Sequence, residues 1–362
     1  MNKMRILGLL LMFSLNVVFG QAPKFSNDFL NLGVGARGMA MGGAVVSLSD
    51  DVTAGYWNPS ALAQSKARFQ IAGQHAQWYA GIGNYDYAAF GKSLDNEGRS
   101  FGAISLIRMG IDDIPNTLRL RGPDGSIDYS RISSFSVADY ALIVSYGRKL
   151  ENTDKSSPWS LGGSVKIVHR SFGSFAKAYG FGIDAGILYH RNKLRFSVMG
   201  RDITTTFNAY KFSFTDEEKA TLQITGNEVP GSSIEITLPK IIAGISYQMS
   251  LGAQTHLTPA IDIEFSGNGT KTQLVQASNL GFDPRIGVEL EFRNKIYLRG
   301  GIGNFQKIPQ LVNQGSKDFS AQPSGGLGLR LGKLRIDYAM TNIASVGIGL
   351  YSHYISLILD IR

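Results

Sequence analysis

Cysteine is absent from all 362 residues. Its absence excludes disulfides, thiolate metal sites, a cysteine nucleophile and a lipid carried on an N-terminal cysteine. Beyond the first twenty residues, no apolar run approaches the roughly 20 residues that a spanning helix needs. Lys and Arg form no block that could track a phosphate backbone, so no nucleic-acid partner is expected. The five histidines (His75, His169, His190, His256, His353) are dispersed, with no H-E-x-x-H and no paired spacing. No G-x-S-x-G elbow occurs, and no Ser/His/Asp set can be chosen from sequence order. The reading is therefore a non-enzymatic chain with no metal and no cofactor.

What is present begins with an export signal. Lys3 and Arg5 precede an apolar core at 6–18, and Val18-Phe19-Gly20 places small or modest residues at −3 and −1 of a cleavage site. Residues 1–20 are read as a signal peptide, with the mature chain starting at Gln21. Removing Lys3 and Arg5 takes the formal charge from +8 to +6. An exported chain without disulfides must draw its stability from size or from a membrane.

From Arg68 onward the polarity pattern has a period of two. Leu194, Phe196 and Val198 alternate with Arg195, Ser197 and Met199. Ile286, Val288, Leu290 and Phe292 alternate with Gly287, Glu289 and Glu291. Ile355, Leu357, Leu359 and Ile361 close the chain on the same plan. A helix would scatter these charges around its circumference, so strands are expected. About 14 such segments start near residues 68, 84, 98, 132, 158, 177, 193, 235, 254, 282, 295, 322, 333 and 350. Many run ten or more residues, which suits tilted membrane-spanning strands better than a soluble sheet. Charges of both signs, among them Lys166, Arg170, Asp184, Asp262, Glu264, Glu289, Arg299, Arg335 and Asp337, are expected to line the lumen. Gly at 43 residues, with 15 Tyr and 20 Phe, suits a curved sheet with aromatic girdles, and Trp57, Trp78 and Trp159 are assigned to such girdles.

Connections alternate in length. Short turns fall at 95–98, 190–193, 250–253, 293–295 and 331–333. Long loops are expected at 112–131, 207–234, 266–281 and 306–322. Outer-membrane barrels show this asymmetry, with tight periplasmic turns and longer external loops. The fold class is therefore all-β, a transmembrane antiparallel β-barrel of about 14 strands in the outer membrane of a Gram-negative bacterium, with outer-membrane lipid around it. Residues 21–67 form an N-terminal periplasmic segment and hatch, and residues 68–362 form the barrel.

The hatch is the stretch 31–63, NLGVGARGMAMGGAVVSLSDDVTAGYWNPSALA, which is rich in Gly and Ala and keeps no two-residue period. Its site residues are Gly33, Gly35, Gly38, Asp51, Trp57, Asn58 and Pro59. Gly33-Val-Gly35-Ala-Arg-Gly38 matches G-x-G-x-x-G. A dinucleotide site would need a preceding strand and a βαβ unit, so close backbone packing is the preferred reading. Asp50-Asp51 is read as capping a helix end or pairing with a lumen Arg. The loop 112–131 is long and carries interspersed apolar residues. It is read as a partner-binding loop through Asp112, Asp113, Ile114, Asn116, Leu118, Leu120 and Tyr129.

Three blocks resemble the PorV/PorQ family of outer-membrane proteins, a branch of the FadL-like barrels. The first is the hatch stretch just quoted. The second is IDDIPNTLRLRGPDGSIDYSRISSFSVADYALIVSYGRKL with LGGSVKIVHRSFGSFAKAYGFGIDAG, which is closer to PorV. The third is the closing pair GLGLRLGKLRIDYAM and SHYISLILDIR. The resemblance implies a 14-stranded barrel with a hatch, and a role in type IX secretion. Its implied partners are the type IX translocon and the C-terminal signal domains of secreted cargo. The alternative is a FadL-like passage for hydrophobic small molecules.

Overall fold

The structure, a computed structural model, describes residues 27–120, 126–150, 157–267, 275–277, 280–309, 317–344 and 350–361. The expected signal peptide, 1–20, lies outside the described residues. Fourteen strand positions form one antiparallel meander. They are β1 Phe69–Trp78, β2 Gly83–Ser93, β3 Ser100–Asn116, β4 Ser133–Lys149, β5 Trp159–Phe172 and β6 Ala176–Arg191. β7 is built from two segments, Leu194–Arg201 and Thr206–Phe212, and β8 likewise from Ser233–Thr237 and Lys240–Tyr247. The circuit continues with β9 Thr255–Ser266, β10 Leu280–Phe292, β11 Ile296–Pro309, β12 Lys317–Leu331, β13 Leu334–Thr341 and β14 Ser352–Ile361. β1 then pairs with β14, from Phe69 opposite Ile361 to Gln77 opposite His353, and the sheet closes. In hydrocarbon each unpaired backbone group costs several kcal/mol, so closure is what lets this sheet stand in a membrane.

The alternation of polarity becomes an alternation of direction. On β14, Ile355, Leu357 and Leu359 face outward while Ser356 and Ile358 are buried inside. On β9, Ile261 and Ile263 face outward while Asp262 and Glu264 are buried. Several strands exceed the roughly 9–11 residues that a tilted strand needs to cross the core. β3 and β4 reach 17 residues each, and their excess stands on the long-loop side.

That excess corrects three expected loops. β3 runs on through Asp112, Asp113, Ile114 and Asn116, absorbing a bulge between Ile111 and Ile114. Asp113 takes a φ of 57° there. Within the expected loop 207–234 lie the upper halves of β7 and β8 and a helix, Asp216–Ile224. Thr215 and Glu218 close a capping box at the start of that helix. The period-two signal of upper β7 was easy to miss because its inward set is Thr206, Asn208, Tyr210 and Phe212, with Lys211 on the outside. The expected loop 306–322 is likewise shortened, since β11 reaches Pro309 and β12 starts at Lys317.

Inside the cylinder lies the segment 27–67. It holds a 3-10 turn Asp28–Asn31, the short helices α1 Ala36–Ala40 and α2 Ala54–Trp57, and a second 3-10 turn Pro59–Gln64. It touches the wall so closely that two wall glycines admit no side chain. A Cβ on Gly162 would sit 2.3 Å from the Pro59 carbonyl carbon, and one on Gly301 would sit 2.2 Å from the Met41 carbonyl carbon.

Leu357 is 47% exposed on the outer face, opposite Gly73 and Ile336. Arg there should cost roughly 2–4 kcal/mol near the bilayer midplane. Leu357→Arg is expected to lower the yield of compact, heat-modifiable barrel after folding into lipid vesicles, whereas the apolar exchange Leu357→Ile should fold normally.

Candidate functional site

Nearly every wall strand offers the hatch a polar group. Gln74 of β1 accepts from the Gly35 N–H at 2.5 Å, and Ser356 of β14 accepts from the Ala36 N–H at 3.1 Å. Ser145 of β4 and Ser164 of β5 both donate to the Gly55 carbonyl, at 3.0 and 3.1 Å. Asp262 of β9 accepts from the Val46 N–H at 2.8 Å. The hatch backbone is too short to form its own sheet, so the wall supplies the partners that its buried N–H and C=O groups require.

The seven hatch residues singled out in the sequence lie within this one packed unit. Gly33 and Gly35 adopt φ of 90° and 78°, which only glycine takes without strain. Gly38 lies under the Trp57 ring, where a Cβ would come within 2.9 Å. Trp57 is buried and its indole N–H donates to the Val34 carbonyl at 2.9 Å. It belongs to the hatch core rather than to a membrane girdle, a correction to its expected place. The Asn58 side chain accepts from the Ser60 hydroxyl at 2.6 Å and donates to the Val46 carbonyl at 3.0 Å. It thereby caps the turn that Pro59 opens.

Charge fixes the hatch against the wall. Arg37 binds Glu289 through Nε at 2.9 Å and Nη2 at 2.8 Å, and reaches Asp50 at 2.8 Å. Arg299 pairs with the same Glu289 and with Asp337, each at 2.6 Å. Arg195 approaches Asp50 at 3.6 Å, and Arg335 pairs with Asp51. Four guanidinium groups thus face four carboxylates. Burial alone would raise both hatch aspartates. The guanidinium groups of Arg37, Arg195 and Arg335 overcome it, and Asp50 lies well below the usual carboxylate range. Asp51 is lowered in the same way, chiefly by Arg335.

Toward the loop side the hatch stops, and a cavity of about 590 Å³ opens above Asn27, Asp28, Phe29 and Leu32. Its walls carry Trp78, Phe172, Phe175, Tyr210, Phe212 and Phe214. The rings form a chain. Phe175 and Phe214 stack at 5.8 Å, Phe214 and Phe212 at 6.2 Å, Phe212 and Tyr210 at 6.1 Å, and Tyr210 meets Phe172 at 6.0 Å. Among the described residues one guanidinium, Arg170, enters this lining and is held by Asp139 at 2.7 and 2.9 Å and by the Tyr210 hydroxyl at 2.7 Å. A second cavity of about 370 Å³ adjoins it, sharing Asp28, Leu32 and Trp78, and is lined by polar groups including Lys240, Glu264, Asp283 and Arg285. The aromatic cavity was not anticipated as a site. Its signal is the alternation Tyr210-x-Phe212-x-Phe214, inside a span read as loop.

The structure does not gather the seven candidate loop residues into a pocket. Asp112, Asp113, Ile114 and Asn116 stand on the upper end of β3. Leu118 and Leu120 follow in a turn, where the Leu120 carbonyl accepts from the Asp128 N–H at 2.9 Å. Tyr129, 73% exposed, begins a short 3-10 turn. Residues 121–125 of that loop lie outside the described residues. Arg119 meets Glu217 and Glu218 of the helix Asp216–Ile224 at 3.7 and 3.9 Å, so loop and helix share one rim.

The lowered aspartates stabilise the docked hatch fully above the ordinary carboxylate value of about 4, and that contribution fades as pH falls through their lower folded values. Protection factors across 27–64, which divide out the intrinsic pH dependence of amide exchange, should therefore be flat from pH 8 to 5 and fall only in stronger acid. Arg37→Met removes one of two guanidinium partners from both Asp50 and Glu289, a loss of roughly 1.5–3 kcal/mol. It should raise exchange in the hatch at neutral pH; unchanged protection would contradict the latch.

No family model matches the chain, and no curated protein does. Solved structures do match over almost the full length. A Pseudomonas aeruginosa FadL homologue aligns with a TM-score of 0.53 at 12% identity, covering 94% of this chain and 100% of that one. The Ralstonia pickettii toluene transporter TbuX aligns at 0.51 and 13%, covering 91% and 99%. The Pseudomonas putida toluene transporter TodX aligns at 0.55 and 13%, covering 93% and 98%. At such identities the likeness is one of fold: this chain has the closed antiparallel β-barrel fold of these proteins, an outer-membrane β-barrel fold of Gram-negative bacteria.

Proposed function

We propose that the barrel is a non-enzymatic passage for hydrophobic small molecules, with the aromatic cavity as its binding site and the hatch as its gate. The observation that carries the reading is the cavity itself. Its position above a sealed hatch, its size and its lining suit an apolar molecule captured from the loop side. The likeness of fold to two toluene transporters supports the same class of cargo.

Below the cavity a molecule meets the buried hatch. Beside the floor the wall is interrupted: four residues of β7, 202–205, stand against only two of β8, 238–239. Asn27 bridges this break, donating to the Thr237 hydroxyl at 2.9 Å and accepting from the Asn208 amide at 2.8 Å. Release therefore requires the hatch, the break or both to shift. Ala176 faces the cavity next to Phe172. Ala176→Trp should fill the cavity and cut uptake of a radiolabelled neutral aromatic hydrocarbon about tenfold, in a host lacking comparable channels, with barrel yield unchanged. Undiminished uptake by that variant would count against the passage.

A second reading, docking of type IX cargo or translocon proteins, is favoured by the rim. Ile127, Tyr129 and Ile132 are exposed there, although they lie beyond the outward-facing apolar band. Deleting residues 117–132 should leave the barrel assembled and abolish co-purification of secretion proteins from the native membrane, if this reading holds. Unchanged co-purification would remove the rim from consideration.

A further inference from the structure

The mouth cavity has a charge as well as a shape. Asp28, Asp139 and Glu235 line it, and among the described residues its lining contains one cation, Arg170. That guanidinium is fully engaged. Nε and Nη2 grip Asp139, Nη1 meets the Tyr210 hydroxyl at 2.7 Å and Glu235 at 3.5 Å, and the group lies 5.2 Å from the Phe172 ring centre. The neighbouring polar cavity adds no free positive charge. Lys240 pairs with Glu264 at 2.9 Å, and Arg285 pairs with Glu264 at 2.6 Å and Asp283 at 3.3 Å.

From this we infer that the cavity selects organic ammonium ions bearing an aromatic or long apolar group, and rejects the corresponding carboxylates. The inference rests on the passage reading and narrows its substrate class. A carboxylate entering the cavity would have to displace Asp139 from Arg170 while facing Asp28 and Glu235. An ammonium head meets the net negative charge of three carboxylates set against one guanidinium, and the faces of several aromatic rings, which attract a cation through their quadrupoles. Its apolar tail gains the same burial that a neutral hydrocarbon would. Two of these carboxylates are placed differently: Asp28 rises from the hatch at the cavity floor, whereas Glu235 sits on the upper half of β8. A head group held between them would bridge hatch and wall.

The test uses three matched probes, 4-phenylbutylammonium, 4-phenylbutyrate and butylbenzene. Each is titrated against the full-length barrel in zwitterionic-lipid nanodiscs, and binding is counted only above that of Ala176→Trp. The ammonium probe is expected to bind at least tenfold tighter than the carboxylate. Glu235→Gln, a half-buried side chain on the cavity surface, should reduce that ratio several-fold. Asp139→Asn releases Arg170 and should move the preference toward the carboxylate. Heat-modifiable mobility confirms that each variant is folded; should Asp139→Asn fail that check, Glu235→Gln alone decides. Equal or tighter binding of 4-phenylbutyrate by the wild type overturns the charge selectivity. Saturable binding of butylbenzene in that same case leaves the passage standing. Absence of cavity binding by all three probes overturns both.

Discussion

Every other feature depends on the pairing of the first strand with the last. Phe69 opposite Ile361 begins a ladder that leaves the sheet no edge. A bilayer cannot hydrogen-bond exposed N–H and C=O groups, so a fourteen-strand sheet with one open seam would carry a row of unsatisfied donors and acceptors. Once the ladder is closed, the two faces have opposite fates. Ile, Leu, Val and Phe meet acyl chains, and the polar alternates are enclosed in a space that they must fill or satisfy among themselves.

The hatch meets that requirement. Glu289, Arg299, Asp337 and Arg335 pair among themselves, but in a dry cavity these pairs alone would leave part of each group's hydrogen-bonding capacity unmet. The hatch brings Arg37, Asp50 and Asp51 to these groups, and its own buried backbone finds partners on β1, β4, β5, β9 and β14. Plug and wall thus complete each other. The aromatic cavity begins where this mutual satisfaction ends.

Much of this was legible in the order of residues. Starts of strands predicted near 84, 132, 158 and 193 are observed at Gly83, Ser133, Trp159 and Leu194. Strict two-residue alternation between greasy and charged side chains has only one geometric solution. The signal weakens where the inward face is neither charged nor small. Upper β7 presents Tyr210 and Phe212 inward and Lys211 outward at the long-loop end of the barrel, which reverses the greasy-out, charged-in order of the other strands. Tertiary position, not local pattern, made that stretch a strand. Trp57 was misplaced for a related reason: a tryptophan beside a tyrosine reads the same at a membrane interface as in a packed plug. Only the burial of its ring against Gly33 and Gly38 distinguishes the two.

Three charged side chains of the hatch are anchored at separate points of the circumference: Arg37 on β10, Asp50 on β7 through Arg195, and Asp51 on β13. Three fixed points define a plane. The hatch therefore acts as an internal template that sets how far apart those staves stand, and a cylinder emptied of it would be free to flatten toward an ellipse. The cross-section of this barrel is thus specified by thirty-odd residues that never touch the lipid.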